Sequence, residues 1–430
     1  MFSEFKYGSI LNKISEEAEA AIAKQHKKID QTAEYNQLKV LKSFRKNNVG
    51  DHHFTPSTGY GYDDNGRDTL EKVYADVFRA EAAIVRPQII SGTHAIALSL
   101  FGVLLPGDEL LYITGKPYDT LEEIVGLRGS GQGSLKELGI GYHHADLTSE
   151  GKVDFDAVKN LITENTKMIG IQRSKGYADR PSFTISEIEE MVSFVKSIKN
   201  DVVVFVDNCY GEFVEEREPC EAGADLIAGS LIKNPGGGLA KTGGYIAGRK
   251  DLVERCGYRL TSPGIGTEAG ASLYSLLEMY QGFFLAPHVT AQALKGAVFT
   301  AAFLEMIGMN TNPSFDSKRT DLIQSVIFHD RERMIAFCQA IQSVSPVNSF
   351  AMPYPDYMPG YEDDVIMAAG TFIQGASIEL TADGPLRPPY IAFVQGGLTY
   401  EHVKIAILTA ADQLLAKELI PVPEQFNKLF

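Results

Sequence analysis

The chain has no excess of positive charge, no closely spaced cysteine pair and no long apolar run. Its 430 residues carry 40 Lys and Arg against 55 Asp and Glu, a formal net charge of −15. Nucleic acids and anionic membrane surfaces select basic patches, so this balance argues against both as partners. It leaves room for a small anionic substrate, because a local positive pocket is enough to hold one. The four cysteines, Cys209, Cys220, Cys256 and Cys338, form no CxxC pair. In a chain of this length they predict a reducing compartment rather than a disulfide framework. The neighbours His52–His53 and His143–His144 lack the i,i+4 spacing of a zinc-binding helix, so no metal site is expected. No stretch reaches ~18 uninterrupted apolar residues, so no membrane span is expected. The first residues are mixed in charge and lack the basic and apolar regions of a secretory signal. The expectation is a cytoplasmic protein.

What is present is the composition of an ordinary globular protein, 44% hydrophobic and 22% charged. The length predicts more than one domain. Residues 1–55 read as an N-terminal helical arm, polar and amphipathic from about 9 to 46. Residues 56–290 read as a large α/β domain. In it, apolar runs at Ala82–Val85, Glu109–Ile113, Met168–Gln172 and Val202–Val206 alternate with helical patterns at Thr69–Phe78, from Thr93 through Leu105, and at Ile185–Ile198. That rhythm predicts a mostly parallel sheet with helices on both faces. Residues 291–430 read as a small α+β domain. Helices are expected there at Ala291–Ile307, His329–Val344 and Glu401–Glu418, with strands at Met367–Ile373, Ser377–Leu380 and Tyr390–Val394.

The chemistry concentrates in VVVFVDNCYGEF and AGSLIKNPGGGLAKTGGY. Asp207 ends an apolar run, and Lys233 follows a second one twenty-six residues later, just before Gly236-Gly237-Gly238. Alone, Asp207 reads as a strand-end turn former and Lys233 as a surface lysine. As a pair they match what pyridoxal 5'-phosphate (PLP) needs: an amine for a Schiff base and a carboxylate to keep the pyridine nitrogen protonated. Apolar walls around Lys233 would lower its pKa and free the amine. The triple glycine suits close approach to a ligand, or is only a flexible hairpin. Ser91-Gly92-Thr93 meets a helix start, where backbone N–H groups bind phosphate, although Ser91 or Thr93 also makes an ordinary N-cap. Ligands of such sheets bind at the carboxyl ends of the strands, where Gly92, Arg173, Asp207 and Lys233 fall. Arg387 and Arg173 are the candidates for a substrate carboxylate, since the guanidinium fork pairs two oxygens at once, with surface ion pairing as the plainer reading of each.

With IISGTHAIALSLFGVLLPGDELL, these motifs make the chain resemble a fold-type I PLP enzyme of the cystathionine and methionine gamma-lyase group over nearly its whole length. Within that group it is most similar to the aluminium-resistance branch. The resemblance implies a fold-type I transferase-like α/β fold and PLP bonded to Lys233. It implies phosphate contacts from Ser91, Gly92, Thr93 and Ser230, and an aromatic, Tyr118, stacked on the pyridine ring. Tyr60 and Tyr62 occupy the region where the group reaches the phosphate of a neighbouring subunit, so a homodimer or homotetramer with shared sites is implied. The arginine of that region is replaced by Asp63-Asp64. Thr267 is a candidate to supply a hydroxyl across the interface instead. The R-x-S-x-G pattern before the last strand is also missing, leaving Arg387 as the nearest substitute. The implied activity is Cα deprotonation of a small, sulfur-containing amino acid and β- or γ-elimination. Transamination or racemisation on the same scaffold, or PLP binding with little catalysis, are the alternatives.

Overall fold

The structure is a computed structural model that describes residues 5–421. The chain forms two compact units: Tyr35–Pro287, and the chain up to Glu34 together with the chain from His288. The boundary falls inside two helices, α1 (Gly8–Lys46) and α8 (Leu276–Met306). Contacts therefore assign the helical arm partly to each unit instead of setting residues 1–55 apart.

In the Tyr35–Pro287 unit the strands are β1 (Ala82–Arg86), β2 (Glu109–Tyr112), β3 (Gly141–His144), β4 (Thr166–Gln172), β5 (Val203–Asp207), β6 (Leu226–Ser230) and β7 (Gly244–Gly248). They form one sheet in the order β1-β7-β6-β5-β4-β2-β3. Only β7 runs against its neighbours. Its helices are α2 (Asn65–Phe78), α3 (Gly92–Val103), α4 (Asp119–Val125), α5 (Phe155–Leu161), α6 (Ile185–Ile198) and α7 (Lys250–Leu260). The period of two along each strand sorts the core. Val204, Val206, Ile227 and Tyr245 join α2, α6 and the start of α8 on one face. Val203, Phe205, Leu226, Ala228 and Ile246 join α3, α4 and α7 on the other. Strands buried on both faces explain the continuous apolar runs of the sequence.

Helix α2 begins four residues before its expected start because the Asp64 carboxylate accepts the Arg67 N–H at 2.9 Å, an N-cap the apolar spacing does not reveal. Helix α6 keeps the expected bounds, closed at its start by a reciprocal Thr184–Glu187 capping box.

The other unit holds an antiparallel sheet ordered β10-β11-β12-β9-β8. Its strands are β8 (Asn310–Asn312), β9 (Gln324–Ile327), β10 (Val365–Ala368), β11 (Thr381–Pro385) and β12 (Ile391–Gln395), with helices α9 (Arg331–Ser343) and α10 (Tyr400–Ala416). Two sequence expectations change here. The strand expected at Met367–Ile373 stops at Ala368, and Ser377–Leu380 is turn. The Glu379 carboxylate accepts the N–H groups of Phe372 (2.8 Å) and Ile373 (3.0 Å), which bends the chain before β11.

Candidate active site

Asp207 and Ser230 end adjacent strands. Asp207 shares the face of Phe205, and Ser230 that of Ala228, so both look toward α3. The start of α3 lies against them. A Cβ built on Gly92 would meet Ser230 Cβ at 3.2 Å and Cys209 Sγ at 3.3 Å. Glycine there lets the helix N-terminus close on the strand ends and leaves its N–H groups open to an anion. The Ser91 side chain accepts the His94 N–H at 3.0 Å, a normal N-cap. Thr93 Oγ1 lies 3.1 Å from Thr120 Oγ1, which brings the start of α4 to the same place. Tyr118 is the N-cap residue of α4 and its ring lies tilted against that of Tyr177, with centroids 5.8 Å apart.

Lys233 follows β6 after a two-residue turn, and its Nζ stands 3.9 Å from the centre of the Tyr210 ring. The walls around it are not apolar, which corrects the expected fall in its pKa. Burial acts to lower the Lys233 pKa, but Cys209, Tyr210, Asp207 and Glu212 outweigh it, and the net shift is upward. Burial raises the Asp207 carboxyl above its ordinary range, opposed by Lys233, by the Cys209 N–H and thiol and by Arg180. Cys209 donates its backbone N–H to Asp207 Oδ1 at 3.1 Å. Glu212 is fully buried and pushed up to about 8 by that burial. One of its oxygens accepts the Tyr245 hydroxyl at 2.8 Å, while the other has no partner.

Arg173 is 0% exposed and committed to structure. Its guanidinium donates to Asn208 Oδ1 (2.8 Å) and faces Glu215 (3.4 Å) and Glu218 (3.6 Å). That corrects its reading as a substrate-carboxylate fork, because the fork is already taken by acidic groups of its own chain. Arg180 binds the carbonyls of Gln172 and Ser174 and lies near enough to Asp207 to act on its charge. Arg387 belongs to the other unit, where it pairs with Asp363 at 3.0 Å.

Tyr60 and Tyr62 stack on each other, centroids 5.3 Å apart, and are 74% and 57% exposed. Their loop is pinned to residues 268–273. Arg67 donates to the carbonyls of Gly61 (2.7 Å) and Gly270 (3.0 Å), and Leu273 N–H to Ser57 O at 3.0 Å. Thr267 lies just before that segment, its carbonyl held by Arg86 at 2.6 Å. Cys209, Tyr210, Glu212 and Arg180 gained no role from the sequence. The DNCYGEF motif flagged the first three, but glutamate is so seldom fully buried that nothing singled out Glu212.

A mostly parallel sheet in this strand order, a helix N-terminus at the strand ends, and buried Asp207 with Lys233 near enough to act on its charge make up the architecture of the fold-type I PLP class. Residues 11–415 match the methionine gamma-lyase family, and the chain belongs to it. The uncharacterized protein YnbB of Bacillus subtilis is 70% identical over 421 residues, covering 98% of this chain and 100% of that protein. A solved carbon-sulfur lyase involved in aluminum resistance from Clostridium novyi is 48% identical, with TM-score 0.91 over 94% of this chain and 96% of that one. At 18% identity and TM-score 0.60, the fold is shared with the pyridoxal-5'-phosphate dependent protein YhfS of Escherichia coli, over 89% of this chain and 96% of that one. Among the described residues no helix is long and apolar enough to cross a membrane.

Proposed function

We propose that the chain is a PLP-dependent carbon–sulfur lyase that removes the Cα proton of a small sulfur-containing amino acid and eliminates sulfur from its β or γ carbon. One observation carries this reading: Asp207, Ser230 and the start of α3 meet on one face of the sheet, with Lys233 beside them. The residues fit the cofactor. Gly92 leaves helix N–H groups open where a side chain would press on Ser230 and Cys209. A carboxylate as buried as Asp207 needs a cation, and a protonated pyridine nitrogen is one.

Bound there, PLP supplies the electron sink for a carbanion. The chain's own residues do the rest. Ser91, Gly92, Thr93 and Ser230 hold the phosphate by N–H groups and hydroxyls. Asp207 keeps the ring nitrogen charged, and Tyr118 fixes the plane of the ring. Lys233 Nζ would carry the cofactor, and as a free neutral amine it would take the Cα proton. Because its neighbours raise its pKa, that form gains as pH rises. Tyr60, Tyr62 and Thr267 are proposed to complete the phosphate site of a second copy in a homodimer or homotetramer; Tyr60 and Tyr62 stand exposed on a loop pinned in place, and Thr267 is half-buried.

The test is product analysis with L-cystathionine, L-methionine and L-cysteine as substrates. Pyruvate or 2-oxobutyrate with equimolar ammonia is expected. Turnover only with added keto acid would replace elimination by transamination, and racemised substrate without ammonia would equally contradict it.

A further inference from the structure

Tyr210 holds a costly backbone conformation directly beneath the amine that the proposed chemistry needs. Its φ is +70°, in the left-handed region that residues with a Cβ rarely enter. Such a conformation persists only where the surroundings over-determine it. Here they do. On one side of Tyr210, Cys209 N–H is tied to Asp207, and the Asn208 side chain bridges Arg173 (2.8 Å) and Glu218 (3.1 Å). On the other, Gly211 sits so close to Arg173 that a Cβ would come within 2.5 Å of the guanidinium. Beyond it, Asn36 donates to Phe213 O at 3.0 Å, and Asn234 to Glu212 O at 2.9 Å. The last bond ties the turn of Tyr210 to the residue next to Lys233. The outcome is a ring face 3.9 Å from Lys233 Nζ, well inside the ~6 Å reach of a cation–π contact.

Resting on the proposed cofactor chemistry, we propose that Tyr210 is a positioning residue that docks the free Lys233 amine, as an ammonium, on its ring face. An ammonium is neither base nor nucleophile, so the strength of this grip sets the pH at which the lysine becomes usable. The titratable groups facing Nζ are Asp207 at the end of β5 and Cys209, Tyr210 and Glu212 in the turn after it. Any negative charge among them favours the ammonium, as does the ring, so removing the ring lowers the lysine pKa.

The 430-residue chain, cleared of carbonyl compounds by hydroxylamine, is labelled with acetic anhydride across a pH series. Acetylation of Lys233 is then read by peptide mass, which needs no cofactor. In Tyr210→Leu the midpoint of Lys233 labelling should fall by about one pH unit, and in Tyr210→Phe, which keeps the ring and loses only the phenol, it should fall by less. Tyr210→Met replaces the leucine variant if that one does not fold. A leucine or methionine midpoint equal to that of the unsubstituted protein would overturn the proposal. So would a phenylalanine midpoint moved as far as the leucine one, since the effect would then belong to the hydroxyl. PLP and borohydride added to the same unsubstituted sample test the cofactor separately: an adduct mapped to Lys233 supports the reading on which the proposal rests. Its absence would overturn the role given to Lys233, and with it that of Tyr210.

Discussion

The Asp207 pocket and the tyrosine loop at residues 57–62 lie in the same α/β unit and are built in opposite ways. Behind Asp207 buried polar groups engage one another within the chain: Asn208 and Glu218 with Arg173, and Glu212 with Tyr245. On the tyrosine loop the backbone is pinned, by Arg67 and Ser57, but the rings of Tyr60 and Tyr62 stand in solvent, as does Tyr274 at 81% exposure. A pinned backbone that presents bare aromatic rings suits a surface waiting to be covered. The difference teaches that preorganisation and completeness are separate. The first region is closed and polarised by groups of its own chain, whereas the second holds its aromatic rings out in solvent.

The largest effect should come from Lys233→Ala, which is expected to abolish both turnover and borohydride-fixed cofactor. Peptide mapping of reduced protein checks it, and retained elimination activity would contradict the assignment. Next comes Asp207→Ala. It should keep part of the cofactor yet lose at least ~100-fold in kcat, measured by keto-acid release at saturating PLP. A near-normal rate would remove the ring-nitrogen role. Third, Tyr60→Phe with Tyr62→Phe should weaken PLP affinity by about tenfold, the loss of one or two hydrogen bonds, and leave the thermal midpoint of the PLP-free protein unchanged. Dilution that separates the copies should reproduce that loss in the unsubstituted protein. If affinity ignores both, the tyrosine loop belongs to another function.

The smallest effect sharpens the pocket side. Glu212 has a folded pKa of about 8, above its ordinary value of 4.5, because of burial. The folded state then binds more protons than the unfolded one between those values, so stability falls as pH rises through that window. Glu212→Gln removes this dependence. Its thermal midpoint should gain on that of the unsubstituted protein as pH rises from about 5 to about 8. A difference that stays constant over the range would show Glu212 ionised throughout.

Much of the α/β unit was legible because burial on both sheet faces writes an unbroken apolar run. Val203–Asp207 shows one, and its sudden end in a carboxylate marked the site. Helix α6 was legible to the residue because periodicity and capping box agree. The edge strand β3, with sequence GYHH, left no such mark: it is polar and only partly buried, and pairing with β2 alone makes it a strand. Ser377–Leu380 misled because its apolar residues are buried in a turn held by Glu379. Arg173 misled for a related reason. Its partners Glu215 and Glu218 lie more than 40 residues away in sequence, and no local pattern announces that they will consume its fork. The acidity around Lys233 was hidden in the same way, since Glu212 reads as a surface residue until the fold buries it.

The visible spectrum of the purified protein, before and after borohydride and followed by mass mapping of the reduced chain, decides whether Lys233 holds PLP. A band near ~420 nm that borohydride removes is expected, with the added mass on Lys233. No band after added PLP, or a reduced cofactor on any other lysine, would contradict it.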